Sequence, residues 1–99
     1  MKHFIVEITY LVPVEALAEI LPHHRAFLQT GYERGLLLLS GPQSPRVGGM
    51  VVARAESLEK LQAFFKDDPY QQNKVAEYRY VEFEPVKHQA FLADWVNPD

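Results

Sequence analysis

An α+β fold, with two helices laid on one face of an antiparallel sheet, is what this sequence predicts, and three observations predict it. Two stretches carry the two-residue alternation of strands and two more are short strand-length segments, two longer ones carry the three- and four-residue spacing of amphipathic helices, and their order is β, α, β, β, α, β. The chain of 99 residues is 47% hydrophobic and 23% charged, which suits one compact domain over residues 1–99. It contains no cysteine. That removes thiol catalysis, cysteine-ligated zinc and iron–sulfur clusters together, and it leaves a short chain without a covalent staple, so the core must be efficient or be extended by a partner.

Residues 3–12 are rich in β-branched and aromatic side chains, and alternation sets Phe4, Val6, Ile8 and Tyr10 against His3, Glu7 and Thr9, as in a first strand. Pro13 follows. Residues 14–34 then place Leu17, Ile20, Leu21, His24, Phe27 and Leu28 on one helical face. Pro22 lacks an amide donor, so this helix is expected to kink or begin twice, and Gly35 supplies its stop. The apolar run 36–39 reads as the second strand, leading through Ser40, Gly41 and Pro42 into a loop at 43–49. Residues 50–55 read as the third strand. Ser57 is placed to cap a helix over 58–67, whose Leu58, Leu61, Phe64 and Phe65 form its apolar stripe. The last strand, 77–86, alternates Val81 and Phe83 against Tyr78, Tyr80, Glu82 and Glu84, and the former pair is expected to face the helices. A tail from residue 87 carries Phe91, Leu92 and Trp95. This order suits a ferredoxin-like sandwich.

A net charge of −3 and a pI near 5.8 argue against a nucleic-acid partner, which would need clustered lysine and arginine. An RNA-recognition role also fails on the third strand, where residues 50–55 offer no aromatic ring for bases to stack on. Glu7 interrupts the apolar stretch 4–8, and no run approaches the roughly 20 apolar residues that span a bilayer, so a cytoplasmic protein without membrane contact is expected. Strands that are apolar on both sides imply that both sheet faces are covered. A second copy is the economical cover, and the sequence therefore predicts a homodimer, with Trp95 packing across the interface or folding back on its own chain.

His24 is the one histidine on the apolar stripe, whereas His23 lies about 100° around the helix and meets solvent. A buried histidine satisfied by one partner is the plain reading of that position. Asp68, seven residues after Leu61 and three after Phe65, continues the second helical stripe and aims a carboxylate at the same interior; before Pro69 it also reads as an N-cap. Together the two residues make an economical dyad. The carboxylate accepts from one ring nitrogen and fixes the tautomer, which leaves the other nitrogen to exchange a proton. Gly41, Pro42 and Arg46 are candidates for holding an anion, and Tyr70 with Tyr10 for lining a pocket. His3 and His88 can approach where the first and last strands pair, but two histidines without a third ligand make a poor metal site, and nothing calls for a metal or cofactor.

His24, the Glu33-Arg34-Gly35 turn, Gly41-Pro42, the Glu56-Ser57-Leu58-Glu59 helix start and Asp67-Asp68-Pro69-Tyr70 together resemble the YciI-like (YCII-related) family, over about residues 3–86. The resemblance implies a dimeric α+β barrel, with residues 87–99 a C-terminal extension and an active site around His24 and Asp68. One branch of that family is a dehydrochlorinase of a chlorinated hydroxyhydroquinone. Acid–base chemistry on a small cyclic or phenolic molecule is therefore implied, by isomerisation, dehydration or elimination. Many relatives carry a small-residue pair soon after the Asp-Pro-Tyr motif, where this chain has Gln72, Asn73 and Lys74. The alternative is a non-catalytic module binding a small ligand. The two readings part on whether His24 and Asp68 meet within hydrogen-bond reach beside a pocket.

Overall fold

A computed structural model describes residues 1–98. Four strands, β1 (Lys2–Tyr10), β2 (Leu37–Pro42), β3 (Gly48–Ala55) and β4 (Ala76–Phe83), form one antiparallel sheet in the order β2-β3-β1-β4. The predicted first helix begins twice. A 3-10 turn at Val14–Leu17 precedes α1 (Leu21–Glu33), and Pro22 stands in the opening turn of α1, where a missing amide donor costs nothing. Gly35 stops α1 at φ +72°, with Gly35 N–H donating to Tyr32 O and Leu36 N–H to Gly31 O, the paired bonds of a Schellman cap. The second strand does not end at Leu39. It continues through Ser40, Gly41 and Pro42, which pair with Val51, Met50 and Gly49.

Ser57 caps α2 (Leu58–Phe65) by accepting from Lys60 N–H at 3.2 Å. One turn later Asp68 opens α3 (Pro69–Gln72). The core fills the space between the helices and one sheet face, with Phe4, Val6, Val51 and Ala53 from the sheet meeting Leu61, Phe64 and Phe65 of α2. α1 joins through Phe27, stacked 4.6 Å from Phe64. Gly31 is the point of closest approach, since a Cβ there would stand 2.7 Å from the Phe64 ring and 2.8 Å from Leu37.

The alternation of β4 is as read, but its faces are reversed. Tyr80 pairs with Val6 and Tyr78 with Ile8, both core residues, so the tyrosines face the helices, and Val81 and Phe83 face away. The reason is amphipathic chemistry. The tyrosine rings pack against Phe65, with centroids at 5.6 and 6.1 Å, while Tyr78 finds a buried hydrogen-bond acceptor. In consequence Leu39, Val52, Ile5 and Val81 stand side by side across all four strands on the other face.

The tail covers one end of that second face. After residues 84–89 it forms a 3-10 turn (Ala90–Leu92) and α4 (Ala93–Val96). Arg54 lies 4.0 Å over the Trp95 ring and donates to Trp95 O at 2.9 Å, and His3 Nε2 bonds Val96 O at 3.1 Å. Trp95 thus folds back on its own chain.

Candidate active site

His24 stands one turn into α1 and is 8% exposed; Asp68, at the junction of α2 and α3, is fully buried. The two helices bring Nδ1 of His24 to 2.8 Å from Oδ1 of Asp68. Capping and pairing coexist in Asp68. Oδ1 also accepts from Tyr70 N–H at 3.0 Å, and Oδ2 accepts from Tyr78 Oη at 2.5 Å. A carboxylate withdrawn from water costs several kcal/mol unless its lone pairs are engaged, and three donors engage them here. With Tyr70 N–H and Tyr78 O–H donating, the carboxylate acts as acceptor throughout, and His24 completes the set by donating from Nδ1. Nε2 is left without a protein partner among the described residues.

Tyr70 fixes the ring from the side. Its phenol stacks on the imidazole at a centroid distance of 3.9 Å and 7° between planes, and Tyr10 meets Tyr70 edge-on at 6.0 Å. Burial raises the Tyr70 pKa to about 12, so the hydroxyl stays protonated at neutral pH. That hydroxyl is buried with no hydrogen-bond partner, a condition that costs about 1–3 kcal/mol. Burial, then the Asp68 carboxylate, push the Tyr78 phenol well above its usual range, keeping it a donor.

Beside the dyad lies a cavity of about 250 Å³. Six of the candidate residues named from the sequence, Tyr10, His24, Gly41, Pro42, Arg46 and Tyr70, line it, and Asp68 stands behind the imidazole. Gly41 and Pro42 belong to an edge strand there, and a Cβ on Gly41 would meet nothing within 4 Å. Gln72, Asn73 and Lys74 do not line it. Two contributors escaped the sequence reading. Tyr78 lay on the face expected to point away, and Arg25, an exposed arginine after His24, carries no local pattern that marks it as a cavity residue. Tyr32 and Ser40, in contact at 2.6 Å, fix the β2 side of the wall to α1.

Away from the cavity, Glu7 meets Arg79 at 3.3 Å and Glu82 meets Lys2 at 3.9 Å. Among the described residues no three histidine or acidic side chains cluster as a metal site. Among the described residues no helix is long and apolar enough to cross a membrane.

Fold and site define a ferredoxin-like α+β domain in which a helix-borne histidine, tied to a buried aspartate, faces a small cavity. The chain matches the model of the YCII-related domain over residues 1–84 and belongs to that family. Among solved structures it is similar to 5-chloro-2-hydroxyhydroquinone dehydrochlorinase from Burkholderia phenoliruptrix, in complex with 2,5-dihydroxybenzoquinone, with a TM-score of 0.67 and 16% identity over 92% of this chain and 98% of that one. No curated protein matches in sequence.

Proposed function

We propose that this protein is a small-molecule enzyme in which His24 moves a proton at its free Nε2 while Asp68 holds the ring and offsets the charge it gains. The observation that carries this reading is the 2.8 Å bond from His24 Nδ1 to Asp68 Oδ1 beside a cavity. A histidine sealed in the core would have supported the binding-module alternative; this one reaches the cavity wall. The reaction class is isomerisation, dehydration or elimination, because proton transfer needs no nucleophile and the chain offers no thiol. The substrate is a small cyclic or phenolic molecule, consistent with the cavity volume of about 250 Å³.

The working unit is a homodimer, with the two open sheet faces against each other. The apolar row Leu39, Val52, Ile5 and Val81 supports this, Leu39 being 58% exposed on a single chain. Sedimentation of the purified protein tests the dimer, and Val52→Glu is expected to leave monomers. A panel of hydroxylated and halogenated rings, followed by absorbance and halide release, tests the activity. Turnover of at least one ring is expected; tight binding without turnover of any would favour the ligand-binding module.

A further inference from the structure

The chain has five arginines, and three are engaged by the protein itself. Arg34 lies over Phe64, Arg54 clasps Gly35 O and Trp95, and Arg79 pairs with Glu7. The two with no ion pair or hydrogen bond from their side chains among the described residues, Arg25 of α1 and Arg46 of the β2–β3 loop, are the two that line the cavity beside His24. No aspartate or glutamate lines it, although the chain carries 13 acidic residues against 10 lysines and arginines. Both arginines are exposed and solvated by water, and together they make the cavity a locally positive site in a net-negative protein, one that attracts an anion.

The remaining wall is suited to a ring. Ile8, Leu21, Leu28 and Val51 give it an apolar surface, and about 250 Å³ accommodates one six-membered ring rather than a drug-sized molecule. Tyr70, whose buried hydroxyl lacks an acceptor, lies within the field of both arginines, which partly oppose the effect of burial on its ionisation.

We propose that the cavity binds a single-ring oxyanion, a carboxylate or an acidic enolate, with Arg25 and Arg46 holding the charged oxygens and the ring laid on the apolar wall before Nε2 of His24. Arg25 and Arg46 are then specificity-determining residues. The proposal rests on the acid–base reading only for the placement of the reacting atom; the anion site stands without it.

Calorimetric titration of the purified protein with benzoate, salicylate and ionised 2,5-dihydroxybenzoquinone, each beside a neutral counterpart such as benzamide or salicylamide, tests it. At least one anion is expected to saturate the protein and to bind about tenfold or more tightly than its neutral counterpart. Arg25→Gln and Arg46→Gln should each remove most of that preference without weakening the neutral compound, and Arg46→Lys should recover part of it. His24→Asn should keep the anion preference. Failure of all three anions to saturate, equal affinity for charged and neutral rings, or an unchanged preference in the double Arg→Gln variant would overturn the anion site. A substrate turned over equally by wild type and His24→Asn would overturn the acid–base reading alone.

Discussion

Tyr78 donates its phenolic proton to Oδ2 of Asp68 at 2.5 Å, leaving Oδ1 for Tyr70 N–H and His24. The carboxylate is thereby held by three elements at once, β4, α3 and α1. An aspartate fixed in this way presents the imidazole in one orientation, which a proton-transfer site requires.

Tyr78→Phe removes that donor and keeps the ring against Phe65. The variant is expected to lose about 1.5–3 kcal/mol of stability, the range for a hydrogen bond to a charged group, measured by urea unfolding. Turnover should fall by about tenfold at unchanged KM, because Tyr78 touches the carboxylate and does not line the cavity.

Asp68 separates capping from catalysis by substitution. Asparagine caps a helix about as well as aspartate but offers one acceptor oxygen where the carboxylate offers two, so Asp68→Asn should cost about 1–3 kcal/mol, less than the loss of the whole side-chain carboxyl. It also removes the charge opposite the ring, and turnover should fall by at least about a hundredfold. Asp68→Ala discards all three hydrogen bonds and should cost about 3 kcal/mol or more, read by thermal melting.

The buried tyrosines set an alkaline limit on stability. Tyr70 and Tyr80 ionise at about 12 in the folded chain because burial disfavours the phenolate, against 10.0 when exposed. Above pH 10 the unfolded chain releases protons that the folded chain still holds, so stability falls as pH rises from about 10 to about 12. Below 10 this contribution is complete. Circular-dichroism melts across that window should show the loss, and a flat Tm would contradict the assignment.

Gly31→Ala should destabilise the protein although alanine favours helices by about 1 kcal/mol. The added methyl would meet the Phe64 ring at 2.7 Å and Leu37 at 2.8 Å, and overpacking of a core costs about 1–3 kcal/mol. A net loss of about 1 kcal/mol in urea unfolding is expected.

Much of this architecture was legible because local spacing carries it. Ser57, Pro22, Gly35 and the period of each strand act within a few residues, and a histidine on the apolar stripe of α1 stands out against its neighbours. Alternation reports that Tyr78 and Val81 point opposite ways but not which of them meets the helices. That is decided by Asp68, ten residues away in sequence and reached only in the folded chain. Arg54 and Trp95, 41 residues apart, fix the tail in the same non-local way. Arg25 and Arg46 become a pair only when α1 and the β2–β3 loop close around one cavity.

His24 is the proton carrier on which the proposed chemistry depends. Its most direct test is the turnover of His24→Ala beside the wild type, on whichever ring compound the wild type converts, with and without added imidazole. Loss of about 10²–10⁴ in kcat/KM, partly restored by imidazole entering the vacated space, is the predicted result. Unchanged turnover in His24→Ala would contradict it.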